Sequence, residues 1–257
     1  MRGAALITGA ADRLGRAMAV YLAGRGFDVA VHYASNRKGA EETAARCANL
    51  GAKTVLLEAD LLRDCDSLVP RATDALGSLT LLINNASIFE FDDIASATPE
   101  SWERHIGSNL RAPLFLSQAF AAQAPKATPD ADGEPRANAL IVNMVDQRVR
   151  KLTPAFLTYT LAKSGLWTLT QTTAQALAPH IRVNAIGPGP TLQGARQSKA
   201  HFDAQRAATI LKRGANPGDI TAALGFFLDS PAVTGQLIAV DGGQHLAWQT
   251  PDILGRE

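Results

Sequence analysis

The chain has 257 residues, 46% of them apolar, with a formal charge of +1, enough for one large α/β domain or two small ones around a substantial core. Near-neutrality excludes a broad basic surface for nucleic acid and a polyanionic tail, which leaves a small molecule as the expected partner. No apolar run is long enough to span a bilayer, and the amino end reaches Thr8-Gly9 too soon for a secretory signal, so a cytoplasmic protein is expected. Cys47 and Cys65 are too few for a disulfide framework and have no metal-ligand spacing; idle thiols and no metal follow.

In chain order the hydropathy pattern predicts strand 4–8, helix 14–24, strand 29–33, helix 40–50, strand 54–58, helix 68–76 and strand 79–84. Helix 108–123, strand 139–144, helix 158–177, strand 181–186, helix 217–228 and strand 237–240 complete it. Strands alternating with helices predict parallel βαβ units with helices on both faces of the sheet. Residues 124–136, rich in Pro, Asp and Ala, read as a surface insertion. Residues 187–198 open with Gly-Pro-Gly-Pro after the sixth strand and read as a lid, because loops leaving the carboxyl ends of strands border the ligand crevice.

The turn from Thr8 to Gly15 joins the first strand to the first helix, where Gly9 and Gly15 let the backbone approach a pyrophosphate met by the helix amino terminus. The second strand ends His32-Tyr33-Ala34-Ser35-Asn36-Arg37, with no acidic residue to bind ribose hydroxyls. Ser35, Asn36 and Arg37 suit a ribose 2′-phosphate; the alternative is a solvated turn that opens the next helix. Asp60 and Leu61 after the third strand, and Asn84-Asn85-Ala86 after the fourth, are positioned for the adenosine side.

Tyr159 and Lys163 stand four apart, on one helix face. A Lys and a nicotinamide cation beside the phenol are expected to bring its pKa down from about 10 toward neutrality. Tyr159 then gives or takes the proton while hydride moves.

With the strand order, the glycine turns, Asn84-Asn85-Ala86 and Tyr159-x-x-x-Lys163 assembled, the chain resembles the short-chain dehydrogenase/reductase family over almost its whole length. Pro188-Gly189, Thr234-Gly235-Gln236 and Val240-Asp241-Gly242-Gly243 share the likeness. The resemblance implies a single Rossmann-like doubly wound parallel sheet of about seven strands with helices on both faces. It implies one domain over 1–257, with a cofactor half roughly 1–137 and a catalytic and substrate half roughly 138–257. It also implies NADPH in contact with Gly9, Arg13, Leu14, Gly15, His32, Tyr33, Ser87, Pro188 and Gly189 besides the residues above. By the same likeness Asn109 holds a proton-relay water, Lys163 binds the nicotinamide ribose, Thr191 lies near the carboxamide, and the protein is a homotetramer.

Two departures from the family pattern are informative. Arg13 replaces a middle glycine, setting a guanidinium beside the pyrophosphate turn and within reach of a heterocycle. Asp146 replaces a serine that hydrogen-bonds a substrate carbonyl; a carboxylate instead accepts from an amino or ring N–H or, with its pKa raised by burial, passes a proton through water. Together with His32-Tyr33, Ser87, Phe89 and Asn143-Met144-Val145-Asp146, they resemble the pteridine reductase branch. That likeness implies reduction of a dihydropterin or dihydrofolate, with Phe89 stacking the pterin and Arg13, Ser87, Asp146 and Tyr159 around it. A carbonyl reductase for 3-oxoacyl thioesters and a non-catalytic dinucleotide binder are the alternatives.

Overall fold

The computed structural model describes residues 3–194 and 197–249. Residues 1–2, at the amino end read as too short for a signal, and residues 195–196 of the expected lid lie outside the described residues. Seven parallel strands form the central sheet: β1 (Gly3–Ile7), β2 (Phe27–Tyr33), β3 (Thr54–Glu58), β4 (Leu79–Asn84), β7 (Ala139–Met144), β8 (Ile181–Pro188) and β9 (Leu237–Val240). They read as near-continuous apolar runs because helices cover both faces. Helices α1 (Arg13–Gly24), α2 (Arg37–Ala48) and α8 (Pro217–Asp229) pack with one core cluster, and α3 (Leu68–Leu76) and α5 (Ala112–Gln123) with another. Phe27, Leu22 and Phe227 in the first cluster and Phe120 and Leu82 in the second have no exposed surface. Each such side chain contributes about 1.5–3 kcal/mol of burial free energy.

The strand order is β3-β2-β1-β4-β7-β8-β9, so the winding reverses between β1 and β4. Their carboxyl ends bound the crevice where a doubly wound sheet binds its ligand. Register across the middle is pinned by polar side chains: Asn84 and Asn143 are paired in β4 and β7, and Asn84 Nδ2 donates to Asn143 Oδ1 at 2.8 Å. Asn143 Nδ2 in turn donates to Thr170 Oγ1 of α6 (Leu157–Leu177) at 2.9 Å. A one-residue slip would strand these buried amides in an apolar layer.

Three elements differ from the sequence reading. The helix expected over 108–123 is a π-helical turn, Gly107–Arg111, running into α5, and a helix that was not expected, α4 (Pro99–Ile106), leads into that turn. The insertion 124–136 folds into a hairpin of β5 (Thr128–Pro129) and β6 (Pro135–Arg136). Beyond the lid, α7 (Lys199–Ala207) buries none of its residues, so no apolar stripe marks it. Cys47 and Cys65 are free and buried.

Candidate active site

The β1–α1 turn is built from close approaches. Gly9 has φ +63°, and a Cβ on Gly15 would meet Gly9 O at 2.1 Å, so no larger residue fits there. Thr8 Oγ1 accepts from the amides of Asn85 and Ala86, and Asn85 Nδ2 donates to Thr8 O and Gly9 O, which locks this turn to the end of β4. Asn85 thus holds the turn through its side chain, while Leu14 packs on the core beside it. No side chain caps α1 and its first turn has no acidic residue, the electrostatics an anionic group at a helix amino terminus requires.

His32 sits beneath this turn. It is buried, its Nδ1 accepts from Gly9 N at 3.0 Å, and its Nε2 lies 3.1 Å from Ala59 O. Burial holds its pKa down at about 4, so the ring is neutral and supports the turn from below. The ring therefore positions the turn that the family likeness assigns to the cofactor. Tyr33 is likewise buried, its hydroxyl donating to Glu58 Oε2 at 3.0 Å.

Ser35 and Arg37 are exposed at the end of β2. Arg37 pairs with Glu41 at 3.0 Å, and Asn36 caps α2 by accepting from Gly39 N. Asp60 is exposed and accepts from Leu62 N, Leu61 is buried, and Ala86 packs on the core. Pro188 closes β8; Gly189 donates to Val240 O, and Thr191 is buried with its hydroxyl donating to Gly189 O.

Arg13 has φ +49°, the left-handed region that a glycine occupies without strain. Its guanidinium donates to the carbonyls of Leu192 and Gln193, joining the β1–α1 turn to the lid.

Opposite, the start of α6 carries the chemical residues. Its N-cap, Phe156, is left-handed and has no side-chain cap bond; Asp92 supplies one from a distant loop. Asp92 O accepts from the amides of Phe156 and Leu157, its Oδ1 accepts from Thr158 N at 3.1 Å, and its Oδ2 accepts from the hydroxyls of Ser101 and Thr158. Buried His105 touches the same hydroxyl, Nδ1 to Thr158 Oγ1 at 2.6 Å, with its ring 6.0 Å from that of Tyr159. Neither Asp92 nor His105 was marked by a local sequence pattern as part of the site.

Tyr159 OH donates to Asp146 Oδ2 at 2.9 Å, while Asp146 Oδ1 accepts from Arg148 N at 2.8 Å. Burial raises the Asp146 carboxyl above its ordinary range, partly offset by the bonds from Arg148 and Tyr159. Burial, then the charge and hydrogen bond of Asp146, push the phenol of Tyr159 well above its ordinary value, and the charge of Arg148 and a hydrogen bond with Ser87 pull the other way. This reverses the expected fall toward neutrality: the neighbour that governs the phenol is a carboxylate. Lys163 Nζ instead donates to Met144 O at 2.7 Å and lies 5.7 Å from the Tyr159 ring centroid; burial lowers its pKa to about 8.

Phe89, 47% exposed, stacks on Phe156 at 4.4 Å and 8° and meets Tyr159 edge-on at 4.7 Å. The Arg148 guanidinium lies 4.8 Å from the Phe156 centroid, so aromatic and cationic groups extend the stack. Asn109, in the π turn, is fully buried; its Oδ1 accepts from Ile88 N and its Nδ2 donates to Ile88 O, fixing the segment between Ser87 and Phe89.

Comparison with known proteins accords with this geometry. A family model described as enoyl-(acyl carrier protein) reductase matches residues 9–245. The crystal structure of FolM alternative dihydrofolate reductase 1 from Brucella canis, complexed with NADP, superposes with a TM-score of 0.91 at 41% identity, covering 98% of this chain and 97% of that one. Galactitol 2-dehydrogenase of Agrobacterium fabrum is 31% identical over 262 residues, 95% of this chain and 97% of that protein. The 3-oxoacyl-(acyl-carrier-protein) reductase FabG of Staphylococcus epidermidis is 28% identical over 253 residues, 96% and 100% respectively.

Proposed function

The chain belongs to the short-chain dehydrogenase/reductase family, and from that premise we propose that it is a pteridine reductase, carrying hydride from NADPH to a C=N bond of a dihydropterin or dihydrofolate. The observation that carries the proposal is the Tyr159–Asp146 hydrogen bond beside the Phe89 ring. A carboxylate there suits a flat heterocycle that presents amino and ring N–H donors, which a ketone lacks.

NADPH is the cofactor of this oxidoreductase, and the donor set fits it. The uncapped start of α1 and the Gly9–Gly15 close approach suit the pyrophosphate, and exposed Ser35 with Arg37, whose one ion pair is the surface contact with Glu41, suits the ribose 2′-phosphate. Leu14, Asp60, Leu61, Ala86, Ser87, Pro188, Gly189 and Thr191 complete the proposed contacts. When bound, NADPH supplies the hydride.

Reduction of C=N also needs a proton, and this chain holds it on Tyr159, whose raised pKa keeps the phenol neutral at pH 7. Asp146 fixes the phenol through Oδ2 and accepts N–H groups of the ring or orders a water that delivers the proton. Lys163, anchored on Met144 O, has two further N–H groups for the ribose. Phe89 offers the pterin an aromatic surface, and Arg13 closes the lid and reaches the ring.

The proposal takes residues 1–257 as one domain, since the sheet runs unbroken from β3 through β4 to β9. It includes assembly as a homotetramer, supported by Leu114 and Phe115, each more than 40% exposed on α5, and a cytoplasmic location, consistent with the absence of any described helix long and apolar enough to cross a membrane. NADPH oxidation is compared with 7,8-dihydrobiopterin, dihydrofolate and an acetoacetyl thioester, with Tyr159→Phe as control. Turnover of the pterins alone supports the proposal. Turnover of the thioester alone returns the chain to carbonyl reduction, the activity its FabG relative is named for.

A further inference from the structure

At the other end of the sheet, where β4, β7 and β8 begin, lies a cavity of about 440 Å³ that the chemistry above does not use. The β5–β6 hairpin walls one side of it. Asn138 Nδ2 donates to Lys126 O and Thr128 Oγ1, and Ala127 N donates to His180 Nδ1, so the hairpin is tied to the body at its base.

Two guanidiniums line this cavity, Arg136 from β6 and Arg182 from β8. Arg182 is only 6% exposed, and both of its hydrogen bonds are made by Nη1, to Ser230 O and Val233 O. Its buried Nε has no partner. Neither arginine forms an ion pair among the described residues. Burial lowers the Arg182 pKa, and the like charge of Arg136 lowers it further. Among the described residues the one carboxylate on the cavity wall, Asp130, spends Oδ1 on the amides of Asp132 and Glu134 and pairs with neither arginine. Thr128 Oγ1 accepts from Asn138 and so keeps its own proton to donate.

A buried cation facing a second cation, with donors unspent, is an arrangement that a bound anion completes. We propose that this cavity is a binding site for a phosphate-class dianion, held between Arg136 and Arg182 with the Thr128 hydroxyl as a further donor. The two guanidinium charges match that of a tetrahedral dianion, whereas a monoanion leaves one cation uncompensated. Occupancy ties β6 to β8 and stiffens the hairpin.

Inorganic phosphate is titrated calorimetrically into full-length protein saturated with NADP⁺, which fills the cofactor's own phosphate subsites, at ionic strength fixed with chloride. The expected result is a site that sulfate competes for and acetate does not, about tenfold weaker in Arg136→Gln, the loss of one charge-assisted contact. Arg136 is exposed on the hairpin, so its replacement leaves the fold intact, whereas Arg182 also holds two carbonyls. As a local readout, phosphate slows phenylglyoxal modification of Arg136, followed by mass spectrometry of its peptide. Absence of binding, equal affinity in Arg136→Gln, equal competition by acetate or unprotected modification would each overturn the proposal.

Discussion

Asp146→Asn separates the charge of this side chain from its shape. Asn keeps the Oδ1 that accepts from Arg148 N, so the short helical turn after β7 stays capped. What is lost is the negative charge 2.9 Å from the Tyr159 hydroxyl. With Oδ1 still on Arg148 N, Nδ2 takes the place of Oδ2 and the bond reverses, Nδ2 donating to the phenol oxygen; it falls from charge-assisted, about 1.5–3 kcal/mol, to neutral, about 0.5–1.5 kcal/mol. Relief of the burial that raises the Asp146 pKa works in the opposite direction, so stability is expected to change by less than about 1 kcal/mol. The carboxylate raises the phenol's pKa, so its removal must bring tyrosinate formation to lower pH. Proton delivery loses its oriented partner, and kcat/KM with a dihydropterin is expected to fall on the order of a hundredfold, the lower end of general acid–base contributions. Near-ultraviolet titration, with Tyr159→Phe subtracted to remove Tyr21 and Tyr33, reads the first effect, and NADPH oxidation reads the second. An unmoved Tyr159 titration together with unchanged kcat/KM would refute the coupling.

Three further outcomes are expected. Asp92→Ala removes the acceptor for Thr158 N and for the hydroxyls of Ser101 and Thr158, costing about 3 kcal/mol and lowering Tm by about 6–12 °C in calorimetry; an unchanged Tm would show that the loop does not hold α6. His32, with a pKa of about 4 when folded against 6.5 for the free side chain, costs nothing above pH 6.5. The unfolded chain binds its proton first as pH falls from 6.5 to 4, so denaturant melts should lose on the order of 3 kcal/mol across that window, and His32→Gln should flatten the loss. Arg13→Gly relieves about 1–2 kcal/mol of left-handed strain but severs the lid contacts, so hydrogen exchange of residues 187–194 should accelerate while Tm hardly moves.

The sheet was legible because each strand is an apolar run bounded by turn residues, and four of the seven expected strands match residue for residue. α4 was not, since only His105 on it is buried and its signal is the cap Thr98-Pro99-x-Ser101, where Thr98 Oγ1 accepts from Ser101 N. Tyr159 and Lys163 could be paired from spacing alone because both lie on one helix. Asp92 could not, because the amide it caps is 66 residues away and only the tertiary fold joins them. The direction of the Tyr159 shift was misjudged for a related reason: spacing brings Lys163 near the phenol but does not reveal that the ammonium binds Met144 O while Asp146 faces the hydroxyl.

The π turn at Gly107–Arg111 amounts to one residue more than an α-helix needs over the same rise, and each helical residue turns the chain by about 100°. The surplus residue re-phases α5 against α4. One helical rod can therefore point His105 at Thr158, lodge Asn109 against Ile88 and still lay Leu116 and Phe120 on the sheet. Deleting any one residue from the turn would restore uniform winding and satisfy one end of the rod only by misaiming the other. The length of this segment is thus fixed by angle, and single-residue deletions here should be far less tolerated than in the 124–136 hairpin.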